Sequence, residues 1–125
     1  MTHHAEGMKT RRKVLGETYV SKTEANRSDF DGPFQDLITE AAWGHVWSRG
    51  HITLRERSMI TLALLAAQGQ DEEVMMHARA CRNTGATADD MREVLLHVAI
   101  YAGAPAANRA FRIVKEVLTE MDGKK

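Results

Sequence analysis

Met59-Ile60-Thr61-Leu62-Ala63-Leu64-Leu65-Ala66-Ala67 is the stretch on which the fold turns. It holds one hydroxyl and no charge, so a helix drawn through it is apolar at every rotation about its axis. A helix of that kind is expected to be buried on all sides, as the central element of a bundle, and this one is far too short to cross a bilayer. Thr53-Leu54-Arg55-Glu56 has the form of a capping box at its start, and Gln68-Gly69-Gln70 closes it.

Downstream, the pair Asp71-Glu72 places negative charge where a helix N-terminus favours it, and a helix is expected from there to about Thr84. Gly85 can supply a left-handed cap, and Thr87-Ala88-Asp89-Asp90 is a second N-terminal signal. The helix it opens runs to about Ala102 and is apolar nearly all round from Val94. Gly103-Ala104-Pro105 breaks it, and Ala107, Ala110, Phe111, Val114, Leu118 and Met121 draw the stripe of an amphipathic last helix. Upstream, Gly32-Pro33 starts a helix in which Phe34, Leu37, Ile38 and Ala41 recur at helical spacing. It carries Trp43 and Trp47 to the polar break Ser48-Arg49-Gly50-His51. The opening segment is polar apart from Val14-Leu15 and reads as an arm over 1–27, suited to pack on a partner subunit, ahead of a helical domain over 28–125. With two prolines and no alternating β-branched run, the class is all-α: one domain, a compact bundle of about six helices.

Composition excludes several functions. Seventeen basic residues balance seventeen acidic ones, leaving no global field to attract nucleic acid or an anionic membrane. The segment Met1 to Lys13 lacks an apolar core of the signal-peptide kind, and no membrane association is expected. The single cysteine, Cys81, has no partner for a disulfide or a thiolate metal site, which points to a reducing, cytoplasmic setting with no metal. At 125 residues, two almost fully apolar helices are hard to cover, so a homo-oligomer is expected.

Few residues can carry chemistry. His77 shares the apolar side of its helix with Val74, Ala78 and Cys81, so its imidazole should point inward, as a core histidine or as a catalytic one. Arg57, with Ser58 beside it, stands at the polar start of the central helix, and Arg79 follows His77 by two residues. Each arginine is either a surface charge or an anion ligand. Trp43 and Trp47, one turn apart, pack a core or wall a pocket. His97 and Tyr101 add two tips that read as inward on the second apolar helix. Cys81 reads as a small core hydrophobe.

The runs Ala42-Trp43-Gly44-His45-Val46-Trp47-Ser48-Arg49, Arg57-Ser58-Met59-Ile60-Thr61-Leu62-Ala63, His77-Ala78-Arg79-Ala80, and Glu93 through His97 and Tyr101 to Asn108 together resemble the 4-carboxymuconolactone decarboxylase family along nearly the whole chain. The arm, from Gly7-Met8 through Arg11-Arg12 to Gly16, is similar to that family's start. The resemblance implies an alkylhydroperoxidase D-like fold, a ring-shaped homohexamer and a place in protocatechuate degradation by the β-ketoadipate pathway, where a cofactor-free decarboxylation gives 3-oxoadipate enol-lactone. In the thiol peroxidases of the same superfamily a CxxC pair precedes the histidine matching His77. Here those positions are Gln70 and Glu73, and a glutamate of the redox members is replaced by Ser58, so disulfide cycling is not available. Relatives often carry histidine at the position of Tyr19, and some carry glutamine at His97.

The substrate so implied is a small lactone dicarboxylate. The resemblance and the chemistry together make His77 the proton donor or oxyanion partner, with Arg57 and Ser58 beside it as catalytic candidates. Arg49, Arg57 and Arg79 are candidates for gripping its acetate arm, Trp43 and Trp47 for walling the departing carboxylate, and His97 and Tyr101 for substrate contacts. Two other readings stand beside this one. One is decarboxylation of a related lactone or acid on the same scaffold; the other is a non-catalytic helical binding or assembly module.

Overall fold

Seven α-helices and one π-helix make up the fold over the described residues, 3–123, of the computed structural model, with no strand among them. The chain divides into two compact units, one ending at Leu54 and the other beginning at Arg55.

The N-terminal unit holds α1 (His4–Leu15), α2 (Glu17–Asn26), α3 (Gly32–Ile38) and a π-helix (Thr39–Trp47). The segment read as a polar arm is thus two helices, which raises the helix count above the six expected. They bury Val14 and Val20 completely, so they contribute core as well as surface. The α1 face that packs is Gly7, Arg11 and Val14, spaced as one helix face requires, with α1 lying against the π-helix. Gly7 and Gly44 permit this approach. A β-carbon on Gly7 would meet the Thr39 carbonyl oxygen and, at 2.7 Å, the Gly44 nitrogen; one on Gly44 would meet the His3 carbonyl oxygen.

Where one continuous α-helix was expected from Gly32 through Trp47, the hydrogen bonding widens to the π pattern after Ile38. Ser48 helps to end it. Its hydroxyl donates to the Trp43 carbonyl at 2.7 Å and lies 2.7 Å from the Thr10 hydroxyl. Because the single Ser48 proton is used on Trp43, Thr10 must be the donor to Ser48. An ion network ties α2 and α3 to α1. Arg11, only 5% exposed, donates to Glu24 at 2.9 Å, and Glu24 also takes Arg27, which in turn reaches Asp36 and the Gly32 carbonyl.

The C-terminal unit is α4 (Leu54–Gln68), α5 (Asp71–Thr84), α6 (Ala88–Tyr101) and α7 (Ala104–Gly123). Gly85 takes the left-handed conformation (φ 95°) and donates its N–H to the Cys81 carbonyl, as a C-terminal cap should. Thr87 and Asp90 form a reciprocal capping box at the start of α6, with bonds of 2.9 and 3.1 Å. α7 packs on both α5 and α6, closing a core that includes Leu62, Val74, Met91, Leu95, Val114 and Val117.

Two expectations are overturned here. α4 is not buried on all sides within the chain: Ser58, Leu62 and Ala66 face inward, but Ile60 and Leu64 are 51% and 56% exposed. The helices available to one unit cover a single face of α4, because burial on every side needs neighbours all round. His97 and Tyr101 likewise point outward, stacked on each other with ring centroids 5.5 Å apart, while Val94, Leu95 and Val98 take the inner face of α6.

Candidate functional site

His77 lies where its spacing places it, on the inner face of α5 between Val74 and Cys81, and it is 6% exposed. Burial pushes its imidazole from an ordinary 6.5 down to about 4, because the charged form is poorly solvated there. At neutral pH the ring is therefore uncharged, and it offers one N–H donor and one acceptor nitrogen.

Ser58 reaches the same helix at Cys81, one turn beyond His77. Its side chain is fully buried, and its hydroxyl lies 2.7 Å from that of Thr84, joining the first turns of α4 to the last turn of α5. That placement makes Ser58 a tie between helices. Arg57, its neighbour, is half-buried, with Nε shielded from solvent. Cys81 is buried on the same side of α5 as His77, and burial pushes its thiol up to about 11 against the lowering effect of a Ser58 hydrogen bond. It is a neutral thiol at physiological pH and a poor nucleophile.

Arg79 goes elsewhere. Two residues along a helix turn the side chain by about 200°, so it leaves α5 on the face opposite His77. There it forms a paired bridge to Glu120 of α7, both bonds 2.9 Å and both side chains about half exposed. That ion pair raises the Arg79 guanidinium further above its ordinary value. His77 and Arg79, adjacent in the sequence motif, are not brought together.

In the N-terminal unit, Trp43 and Trp47 are both buried, with ring centroids 5.0 Å apart, while Arg49 just beyond them is exposed. Tyr19 is partly exposed on α2. Buried Arg11 is the residue that reading the sequence misses, since it stands in the run Arg11-Arg12-Lys13, which looks like solvated charge. Its signal is the i, i+4, i+7 spacing of Gly7, Arg11 and Val14. Among the described residues no three histidine, cysteine or acidic side chains converge as a metal cluster, and no helix is long and apolar enough to cross a membrane.

Residues 32–116 match the Carboxymuconolactone decarboxylase family. The chain belongs to that family. A 4-carboxymuconolactone decarboxylase of Acinetobacter baylyi is 42% identical over 118 residues, 94% of this chain and 88% of the relative. A nitrosuccinic acid decarboxylase of Metarhizium robertsii is 39% identical over 93% of this chain and 81% of the relative. A 4-carboxymuconolactone decarboxylase of Pseudomonas putida is 45% identical over 38 residues, 30% of this chain and 79% of the relative. The family match takes in α3, the π-helix, α4 to α6 and most of α7, including His77, Arg57 and Ser58. Within this family frame Gln70 and Glu73 stand before His77, and the chain's one thiol is the buried Cys81.

Proposed function

We propose that this family member is a carbon–carbon lyase that decarboxylates 4-carboxymuconolactone to 3-oxoadipate enol-lactone. The observation that carries the reading is the 42% identity to a 4-carboxymuconolactone decarboxylase over 94% of the chain. The reaction needs no added electron sink. Cleavage of the bond between the ring carbon and its carboxylate releases carbon dioxide, and the electron pair moves through the conjugated double bond onto the lactone carbonyl oxygen. A proton then joins the carbon beside that carbonyl, giving the enol-lactone.

The chain's own groups divide this work. Neutral His77 donates an N–H hydrogen bond to the lactone oxygen as negative charge gathers there, in a shielded site where such a bond counts for more than in water. Arg57 grips the acetate carboxylate, which stays on the molecule, because tight binding of the departing carboxylate would hold the ground state back. Ser58, tied to Thr84, fixes the start of α4 and so the position of Arg57. The catalytic domain is taken as 28–125, with α1 of the 1–27 segment packed on its π-helix. The exposed apolar residues of α4 and α6 favour a homo-oligomer, up to the hexamer that the family implies. The setting is the cytoplasmic protocatechuate branch of aromatic catabolism, with a cycloisomerase upstream and an enol-lactone hydrolase downstream.

Decarboxylation of a different small acid is the second reading, favoured by the relative that acts on nitrosuccinic acid. Carbon dioxide release from equal concentrations of the lactone and of nitrosuccinic acid separates the two. Preference for the lactone is the expected result, and turnover of nitrosuccinic acid alone would replace the first reading by the second.

A further inference from the structure

A cavity of about 440 Å³ opens between α6 and α7, away from the proposed site, and neither His77 nor Arg57 lines it. Its floor is apolar, formed by Leu95, Phe111, Val114 and Leu118. Arg92 stands on the α6 side of its rim; Arg112, Lys115 and the Asn108 amide stand on the α7 side. The volume falls within the range of small-molecule pockets, roughly 300–1,000 Å³, and an apolar floor with a few polar groups at the edge is their usual composition.

What distinguishes these charges is where they stand, at the edge of an apolar cavity. Arg12, Arg27, Arg55, Arg79 and Arg109 are each answered by a carboxylate, whereas Arg112 and Lys115 make no ion pair among the described residues. Arg92 has Asp89, a partly solvated pair one turn away on α6. Two unanswered cations and a third shared one thus face an apolar trough in a protein whose net charge is zero. A purely apolar occupant would leave these cations at its edge unmatched, while a small polar anion would leave Phe111 and Leu118 uncovered.

We propose that the α6–α7 cavity binds an aromatic carboxylate, its ring on Phe111 and Leu118 and its carboxylate held by Arg112 and Lys115. Asn108 and Arg92 complete the rim, and a ligand with a second carboxylate would engage Arg92. The site is separate from the decarboxylation chemistry and does not depend on it.

Isothermal titration of 2-naphthoate into the full chain tests this, with Arg112→Gln/Lys115→Gln and His77→Ala measured alongside. Saturable binding of one naphthoate per chain is expected, weakened about tenfold or more by the double substitution and unchanged by His77→Ala. Both substitutions are at exposed positions, so the variant should fold, and circular dichroism checks that. Binding lost in His77→Ala but kept in the double variant would assign the carboxylate to the decarboxylation site and overturn the proposal. So would absence of binding to the folded protein. No naphthoate binding to the unaltered protein, together with an altered oligomer size of the double variant by light scattering, would identify the occupant as a second copy of the chain instead.

Discussion

The two units of this chain are held together by different physics. The C-terminal unit is built around a continuous apolar core, with its helix ends fixed by a glycine cap and a capping box. The N-terminal unit depends on a glycine-to-backbone approach between α1 and the π-helix, on the Thr10–Ser48 hydroxyl pair, and on an ion network around a buried arginine. The first kind of assembly tolerates change of shape better than change of volume, because dispersion and hydrophobic burial are not directional. The second tolerates neither, since its contacts involve backbone atoms that have nowhere to go.

Both tryptophans, Trp43 and Trp47, lie in the N-terminal unit, so their fluorescence reports that unit, while helical circular dichroism reports both. The largest expected effect is at the centre of the other unit. Leu62→Ala removes a fully buried side chain and should destabilise by about 3–4 kcal/mol, seen as a lower denaturation midpoint by circular dichroism. Gly7→Ala adds one carbon against the Thr39 carbonyl oxygen and should cost about 3 kcal/mol, read by tryptophan fluorescence; a change below about 0.5 kcal/mol would mean that α1 can slide.

Acid adds a graded effect through His77. Its folded value, about 4, lies below the ordinary 6.5, so between those values the unfolded chain binds the extra proton and stability falls as pH drops. The contribution is fully present above pH 6.5, declines by about 1.4 kcal/mol per pH unit, and totals roughly 3 kcal/mol by pH 4. His77→Gln should flatten that part of the profile in urea titrations taken at successive pH values. The smallest effect is expected at Arg79→Ala, which breaks an exposed pair: less than about 1 kcal/mol, with kcat and KM unchanged. A marked rise in KM would instead return Arg79 to substrate recognition.

The same contrast decides what is legible in the sequence. Helix ends in the C-terminal unit are written in Gly85, Thr87 and Pro105, because caps and breaks act through local backbone chemistry. His77 is legible for a related reason, since Val74, Ala78 and Cys81, which share its side of the helix, are small and apolar. The outward turn of His97 and Tyr101 is not, because Leu96 and Ile100 are also exposed there and an apolar neighbourhood in sequence does not mean a buried one. In the N-terminal unit, Arg11-Arg12-Lys13 conceals a packing face. The π-helix is invisible to a 3.6-residue pattern, and Trp43 and Trp47 fit either geometry over so short a stretch. The divergence of Arg79 from His77 follows from helix geometry alone and shows that residues sharing a motif need not share a site.

The most direct test is carbon dioxide release from 4-carboxymuconolactone, generated in situ, by metal-stripped protein and by its His77→Ala variant side by side. Release at an enzymatic rate is expected from the unaltered protein, with a fall of about 100-fold or more in the variant while its helical circular dichroism persists. No release from the folded, unaltered protein, or equal release from both, would contradict the account.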